Sequence, residues 1–247
     1  MNNNIQYAAA MIEAFGLVGV KYSDDTMTPY SSYHLDSQLD SIQYPLQTLQ
    51  CLSGDYDDLG LLLCSCLESI QVHTGYIATL DDFIVLVRLE MNPNNVLDNF
   101  KSEEGLIIDE ESENVYLALS MKNFDKGFKQ CFTAGAQAIE NCFVDEENYY
   151  EFVDVQDAWN SYPPVAYSAS IEIPSISETA LLKRFDSAIN DYIASDIEAA
   201  IKRARESGDQ NKLGLALVRA GRYAEARSAF TKAANTGSVN AMINVAN

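Results

Sequence analysis

The sequence predicts an α+β fold, in which a helix packs on a mainly antiparallel β-sheet, followed by an all-α helical hairpin. A strongly apolar segment over about residues 57–70 has helical character, and residues 74–79, 83–90 and 115–120 have strand character. From residue 177 onward the pattern is helical only. The charge changes at the same point, since residues 1–174 hold 28 acidic and 6 basic side chains and residues 175–247 hold 8 and 10. We therefore predict two domains, 1–174 and 175–247.

The remaining elements follow from the spacing of apolar residues and from turn signals. An opening helix is predicted over about residues 7–20, ended by Gly19. Asp55 is predicted to cap the apolar helix that follows it. Residues 124–143 have helical spacing. Residues 154–159 precede the double proline Pro163-Pro164, which ends regular structure. A long helix is predicted over 177–206.

The composition is that of a folded globular protein, with 47% hydrophobic and 10% aromatic residues despite a net charge of −20. The acidic first part has few cations that could displace counterions from a phosphate backbone, so we exclude nucleic acid as its partner. Cationic peptides, basic proteins or metal ions suit it better. No apolar run is long enough to span a membrane. The first residues do not read as a signal peptide, and a periplasmic or cell-envelope location requires that one has been removed.

The five cysteines show neither zinc-site spacing nor a disulfide framework. We interpret them as small core residues. Cys64 and Cys66 lie in the apolar helix, where they point about 200° apart and should not bond to each other.

Residues 213–233 have the spacing of a helical repeat, and they resemble the tetratricopeptide consensus. The small residues Gly214 and Ala226 are expected to let two helices approach, and Gly221 to end the first helix. Tyr223 and Phe230 are expected to fill the space between them. The matching residues are Leu213, Gly214, Gly221, Tyr223, Ala226, Phe230 and Ala233. A single repeat exposes an apolar face, so we interpret the chain as an excised fragment whose repeats continue.

Three segments between residues 44 and 79 carry a second resemblance. They are Tyr44-Pro45-Leu46-Gln47-Thr48-Leu49, Gly54-Asp55-Tyr56-Asp57-Asp58-Leu59 and Thr74-Gly75-Tyr76-Ile77-Ala78-Thr79. With the helix between the last two, they resemble the transglutaminase-like family of the papain-like cysteine-protease superfamily over about residues 8–120. That family has a nucleophilic Cys at the helix start and a His before the next strand. The combination with repeats resembles bacterial proteins of the spirochaete type.

The resemblance implies a degenerate active site. It places Tyr56 at the position of the nucleophile, Asp82 at that of the His and Ser120 at that of the orienting carboxylate. A phenol and a carboxylate, without thiol or imidazole, cannot perform Cys–His hydrolysis or transamidation. Other candidates, Cys51, Cys64, Cys66, His34 and His73, are interpreted as structural or solvated. The resemblance therefore implies a pseudoenzyme.

The resemblance also implies that several aspartates converge on the former active site. These are Asp55, Asp57, Asp58, Asp81 and Asp82. Together they offer oxygen ligands for a hard cation such as Ca²⁺. The simpler alternative is that Asp55 caps the helix, that Asp57 and Asp58 favour its positive end, and that Asp81 and Asp82 form an exposed turn.

An aromatic set near the double proline is a candidate peptide groove. It comprises Tyr149, Tyr150, Phe152, Trp159 and Tyr162. The alternative is that these residues pack a linker onto its neighbour.

The leading hypothesis is a non-catalytic domain that acts in protein–protein interaction or as a scaffold, with a protein or peptide partner. The alternatives are a Ca²⁺-binding domain, a cysteine hydrolase that uses another thiol, and a rigid spacer that binds nothing. The sequence leaves the oligomeric state open.

Overall fold

The computed structural model describes residues 2–24, 42–79, 81–96, 105–109, 112–144, 150–165 and 170–246. The helices are α1 Asn3–Val18, α2 Pro45–Cys51, α3 Tyr56–Ser69, α4 Phe128–Val144, α5 Val155–Ser161, α6 Glu178–Glu206, α7 Gln210–Arg219, α8 Tyr223–Asn235 and α9 Val239–Ala246. The strands are β1 Lys21–Tyr22, β2 Ser53–Gly54, β3 Thr74–Thr79, β4 Phe83–Leu89, β5 Leu106–Asp109, β6 Asn114–Ser120 and β7 Tyr150–Asp154. Short 3₁₀ helices cover Pro93–Asn95 and Met121–Lys126. The predicted α+β class is confirmed.

A five-stranded sheet with the order β5-β6-β4-β3-β7 forms the centre of the first part of the chain. Every strand pair in it is antiparallel, as predicted. The register places Ile84 of β4 opposite Ser120 of β6, so the residues just before β4 lie beside the end of β6. The short strands β1 and β2 form a separate parallel pair.

Helices cover both faces of this sheet, which explains why β4 is buried along almost its whole length. On one face, Ile139 of α4 packs against Ile84, Leu86 and Ala118. The approach of α4 to β6 is close, since a Cβ on Gly135 would lie 2.5 Å from the Ala118 carbonyl oxygen. Helices α1 and α3 contact β4 from the other face. Since successive side chains of a strand point to opposite faces, β4 contributes side chains to the packing on both sides.

The predicted helices are present with shifted ends. α1 begins earlier than predicted because the Asn2 side chain accepts a hydrogen bond from the Asn4 N–H at 2.9 Å and caps the helix. It ends at Gly19, whose φ of 99° is left-handed, as predicted. Asp55 occupies the N-cap position of α3, but its side chain makes no capping hydrogen bond. The segment predicted as one helix over 124–143 divides at Gly127, which has a φ of 91°.

The strands β5 and β7 and the helix α2 do not follow from sequence periodicity. β7 is a short edge strand that pairs Val153 with Tyr76 of β3, and β5 is the opposite edge, pairing Ile107 with Tyr116 of β6. Both are defined by their neighbours rather than by a strong pattern of their own. Helix α2 begins at Pro45, which suits the first turn of a helix.

The chain forms two compact units, Met1–Pro93 with Glu104–Ile189 and Asn94–Glu103 with Asn190–Asn247. Helix α6 runs from the first unit into the second. The predicted domain boundary near residue 174 stays a prediction. In the first unit, Glu13 of α1 accepts hydrogen bonds from the Phe128 N–H and from Arg184 Nε, both at 2.9 Å.

The second unit has its own core, formed by the end of α6 with α7 and α8. The core residues are Ile201, Ala204, Leu213, Ala216, Leu217, Ala226, Ala229 and Phe230. As expected, Gly214 permits close contact, because a Cβ there would lie 2.4 Å from the Phe230 ring. Gly221 ends the first helix region with a φ of 72°. The expectation for Tyr223 is wrong: it is the first residue of α8 and is 69% exposed, so it does not fill the space between the helices.

The cysteines are free thiols, and the interpretation as core residues holds for Cys64, Cys131 and Cys142, which are buried. It is wrong for Cys51, which is exposed at the end of α2, and Cys66 is half-buried. None of the helices that the described residues form has the length and apolar character needed to cross a membrane.

Candidate functional site

The Asp82 carboxylate lies at the centre of the candidate site, between the β3–β4 turn and the end of β6. It is 7% exposed. Its Oδ2 accepts a hydrogen bond from the Ser120 hydroxyl at 2.5 Å. Its Oδ1 accepts the backbone N–H groups of Phe83 at 2.9 Å and Lys122 at 3.1 Å. The structure therefore brings together two of the three positions that the family resemblance singles out, Asp82 and Ser120.

The turn before β4 holds Asp82 in place. The Asp82 N–H donates to Thr79 Oγ1 at 3.0 Å, and the Thr79 N–H donates to the Asp82 carbonyl oxygen at 3.0 Å. Burial raises the pKa of Asp82, and the hydrogen bonds from Ser120 and the two backbone amides oppose this rise. The Ser120 hydroxyl is fully buried and committed to the carboxylate, which is unsuitable for a nucleophile that must reach a substrate.

Tyr56, the third singled-out residue, begins α3 and is joined to Asp82 through Lys122. The Lys122 ammonium lies 5.8 Å from the centre of the Tyr56 ring, within the range of a cation–π contact. The backbone N–H of the same lysine donates to Asp82. The positions that the resemblance assigns to a nucleophile and a base are thus connected by a lysine that the sequence reading did not single out.

The Tyr56 ring also stacks on Tyr22, with centroids 4.7 Å apart and an angle of 10° between the planes. The Tyr22 hydroxyl donates to the Asp24 carboxylate. Burial, followed by this hydrogen bond, raises the pKa of Tyr22 above its ordinary value. The phenol ring at the nucleophile position is therefore packed on Tyr22 and lies within cation–π range of Lys122.

Three of the predicted metal ligands, Asp55, Asp57 and Asp58, form a cluster at the start of α3. Each offers a carboxylate oxygen, and these oxygens lie within 4.8 Å of one another. The three residues are 5%, 4% and 3% exposed. Carboxylates this close and this buried repel one another unless a proton or a cation compensates them. The cluster could hold a metal ion.

Gln43 occupies part of this cluster. Its backbone N–H donates to Asp58 Oδ1 at 2.6 Å and its Nε2 to Asp58 Oδ2 at 2.5 Å. Asp57 Oδ1 accepts the Asp58 N–H at 3.0 Å. Burial first, and then the negative charge of Asp55, raise the pKa of Asp58, while the hydrogen bonds from Gln43 oppose the rise. Protonation of Asp58 is therefore an alternative to a bound cation.

The other two predicted ligands lie elsewhere. Asp82 is held by Ser120 and the backbone amides, as described above. Asp81 is an exposed turn residue whose Oδ2 lies 3.6 Å from Lys122 Nζ. The cluster at the start of α3 therefore consists of three aspartates rather than the predicted five.

A pocket of about 580 Å³ opens beside Asp82, between α4 and the ends of β3 and β6. One wall is a single face of α4, because its residues there recur at helical spacing. The lining residues are Thr79, Asp81, Asp82, Ser120, Lys122, Asn123, Ala134, Gln137, Ala138, Asn141 and Cys142. Tyr56 does not line it.

The alternative nucleophiles have unfavourable surroundings. Burial raises the pKa of Cys66 to about 11 and that of Cys64 to about 12. It also raises the pKa of Cys131 and Cys142, and the negative charges of Asp81 and Asp82 add to the shift at Cys142. These thiols are disfavoured as thiolates at neutral pH. His34 lies outside the described residues, and His73 is half-buried just before β3.

The predicted aromatic groove is only partly described. Tyr149 lies outside the described residues, and Tyr150 is described by its backbone alone, in β7. Phe152 contacts the edge of the Tyr116 ring at 6.3 Å between centroids and is 47% exposed. Trp159 and Tyr162 are 39% and 80% exposed.

Lys122, Thr79 and Gln43 were missed in the sequence. Each donates its backbone N–H to Asp82 or Asp58, and no residue pattern marks such a role. One feature of the sequence could have drawn attention to Lys122: it is one of only six basic residues in the acidic segment 1–174.

Neither a family model, nor a curated protein, nor a solved structure matches the chain.

Proposed function

We propose that this chain is a non-catalytic protein-interaction module. Its first unit would be a transglutaminase-like domain whose active-site positions have become structural, and its second unit a tetratricopeptide-type repeat that contacts the partner. The observation that carries the proposal is the presence of exposed apolar faces on two helices of the second unit, α7 and α9.

On α9, Val239, Met242 and Ile243 are 68%, 49% and 57% exposed. Their spacing of three and four residues places them on one face of the helix, opposite the fully buried Ala241. On α7, Leu215 and Val218 are 42% and 40% exposed and share a face in the same way. Clustered apolar residues on one helix face favour a protein interface, whereas scattered ones are ordinary.

The arrangement around Asp82 supports the non-catalytic part of the proposal. Ser120 donates its hydroxyl to a carboxylate that also accepts two backbone amides. The Tyr56 ring is packed against Tyr22 and Lys122. A Cys–His mechanism needs a thiolate and an imidazole in contact, and these positions hold neither residue type.

A comparative capture experiment tests the interaction. The full chain, a double variant Leu215→Glu/Met242→Glu and a control Thr231→Glu are used as baits in the same cell extract. Thr231 is exposed on α8 and lies outside the apolar surface. We expect a partner that is retained by the native chain and the control and lost with the double variant.

A captured protein supports the proposal only when calorimetry with the purified partner gives the same ranking. The native chain and the Thr231→Glu control must bind it more tightly than the double variant does. Two introduced charges in an apolar interface should weaken binding by at least about tenfold. Equal capture by all three baits would overturn the assignment of the surface. Hydrolysis or transamidation of a peptide substrate by the purified chain would overturn the non-catalytic part.

A second candidate function is binding of a divalent cation such as Ca²⁺ by Asp55, Asp57 and Asp58. The three buried carboxylates with oxygens within 4.8 Å favour it. Calorimetric titration with Ca²⁺ and with Mg²⁺ tests it, using Asp57→Asn as the variant and Asp81→Asn as the control. Saturable heat that disappears only with Asp57→Asn supports the site, and silence in the native chain refutes it.

A further inference from the structure

The pocket beside Asp82 is open to solvent and large enough to hold a small molecule. Its volume of about 580 Å³ lies within the roughly 300–1,000 Å³ typical of such sites. It is formed within the first unit, by residues from β3, β6 and α4 and the turns that follow the strands. The exposed apolar surface of α7 and α9 contributes nothing to it, so its role is independent of the proposed interaction.

The charges available to a ligand are one positive and one negative. Lys122 Nζ lies 3.6 Å from Asp81 Oδ2, and the two side chains are 49% and 81% exposed. A pair this exposed is weak, so a ligand can replace its contacts at little cost. Asp82 also lines the pocket, but three donors already occupy its carboxylate oxygens.

The net charge of the ligand is constrained from both sides. Residues 1–174 as a whole hold 28 acidic and 6 basic side chains, and this net negative charge disfavours a net anion. Inside this pocket a net cation would compete with the Lys122 ammonium for Asp81 and would offer that ammonium no counter-charge in return. A neutral molecule that carries both an ammonium and a carboxylate avoids both costs.

The remaining lining suits an amide-containing or amino-acid-like molecule. Asn123, Gln137 and Asn141 present carboxamides, which both donate and accept hydrogen bonds. Gln137 Nε2 already donates to Asn141 Oδ1 at 3.2 Å, so these two groups are aligned along α4. Ala134 and Ala138 lie on the same helix face and leave room for a ligand side chain.

We propose that this pocket binds a small zwitterion of the amino acid or dipeptide class. The ligand ammonium pairs with Asp81, the ligand carboxylate pairs with Lys122, and the carboxamides of α4 contact its polar middle. The alanines of α4 set the size of the side chain that it can carry.

The test is a thermal-shift screen of the standard amino acids and of alanyl-alanine, followed by calorimetry on each hit. We expect saturable binding with one ligand per chain. Blocking both charges, as in the acetylated and amidated form of the same ligand, should weaken binding by at least about tenfold, because both charged contacts are lost.

The matched variants are Lys122→Gln, Lys122→Arg, Ala138→Leu and Lys21→Gln. We expect at least about a tenfold loss with Lys122→Gln and with Ala138→Leu, which fills the pocket without changing its charge. Lys122→Arg keeps the charge and should retain binding, as should Lys21→Gln, which alters an exposed cation of β1.

Three results would overturn the proposal. They are the absence of binding by every compound at millimolar concentration, equal binding of the blocked ligand, and unchanged binding in Ala138→Leu. The comparison of blocked and unblocked ligands uses the native chain, so it remains decisive if a variant fails to fold.

Discussion

At the scale of single residues, Asp82 organises the junction between β3, β4 and β6. Its carboxylate accepts one hydroxyl and two backbone N–H groups while it is 7% exposed. Burial opposes its ionisation and the three donors favour it. The stability of the protein should therefore depend both on the presence of the Asp82 carboxylate and on the pH.

Asp82→Ala should destabilise the protein, and Asp82→Asn should do so much less. The alanine variant leaves the Ser120 hydroxyl and two amides without their acceptor in a buried site, which should lower the free energy of unfolding by about 3 kcal/mol. Asparagine retains an acceptor oxygen and removes the buried charge. Urea unfolding at neutral pH measures both values, and equal losses in the two variants would contradict the expectation.

The raised pKa of Asp82 also predicts a pH dependence with a definite sign. The folded state holds this proton to higher pH than the unfolded chain, whose carboxyl group has its ordinary pKa of 3.8. Because the folded state binds this proton more tightly, the bound proton stabilises the fold. This stabilisation is complete below pH 3.8 and is lost as the pH rises through the raised pKa of Asp82. The stability of Asp82→Asn relative to the native chain should therefore increase as the pH rises above 3.8. A relative stability that is flat or falls with pH contradicts the assignment.

At the scale of elements, the contact between α4 and β6 depends on a glycine. A Cβ on Gly135 would lie 2.5 Å from the Ala118 carbonyl oxygen and 2.9 Å from the Leu119 nitrogen. These are backbone atoms of the strand that carries Ser120, so they cannot move as a side-chain end can. The same helix provides one wall of the pocket, and its distance from β6 sets the width of that pocket.

Gly135→Ala should therefore destabilise the fold, although alanine favours helix formation by about 1 kcal/mol. Overpacking in a core costs about 1–3 kcal/mol of unfolding free energy. Since the backbone of β6 cannot move aside, we expect the net loss for Gly135→Ala to lie near the upper end of this range. Thr133→Ala, an exposed position in the same helix, is the control. Urea unfolding of both variants gives the comparison. A Gly135→Ala protein as stable as the control would show that α4 can shift away from β6.

At the scale of the whole molecule, the dominant feature is charge. The chain has 36 acidic and 16 basic side chains, and the excess of acid lies in residues 1–174. Net repulsion of this kind destabilises a compact state, and salt screens it over a Debye length of about 10 Å at 0.1 M.

The melting temperature should therefore rise with sodium chloride from about 0.02 to 0.5 M, a range in which screening becomes nearly complete. Thermal unfolding followed by circular dichroism measures it. Calcium chloride at equal ionic strength serves as a comparison. A melting temperature that rises further with calcium chloride than with sodium chloride reports specific binding at Asp55, Asp57 and Asp58 in addition to screening. A melting temperature that falls with salt contradicts the expectation.

The sequence by itself determined the elements with strong periodicity. The apolar run of α3 and the strands β3, β4 and β6 lie within one or two residues of their predicted positions, because their own apolar side chains are mostly buried. The residues Asp55 to Asp58 could be expected to cluster, since they are adjacent at one helix start. The close helix approach at Gly214 could likewise be expected from the repeat spacing, whereas its contact there, the Phe230 ring, is known from the structure.

Only the tertiary structure decided the edge strands, the partners of Asp82 and the pocket. β5 and β7 are strands because β6 and β3 offer them hydrogen-bonding edges. Asp82 meets Ser120 and the Lys122 amide because the antiparallel register places the start of β4 beside the end of β6. Lys122 gains its role from the Tyr56 ring and Asp81, which lie 66 and 41 positions away in the chain. Such contacts depend on how the strands pair and how the helices cover them, and local periodicity does not predict that pairing.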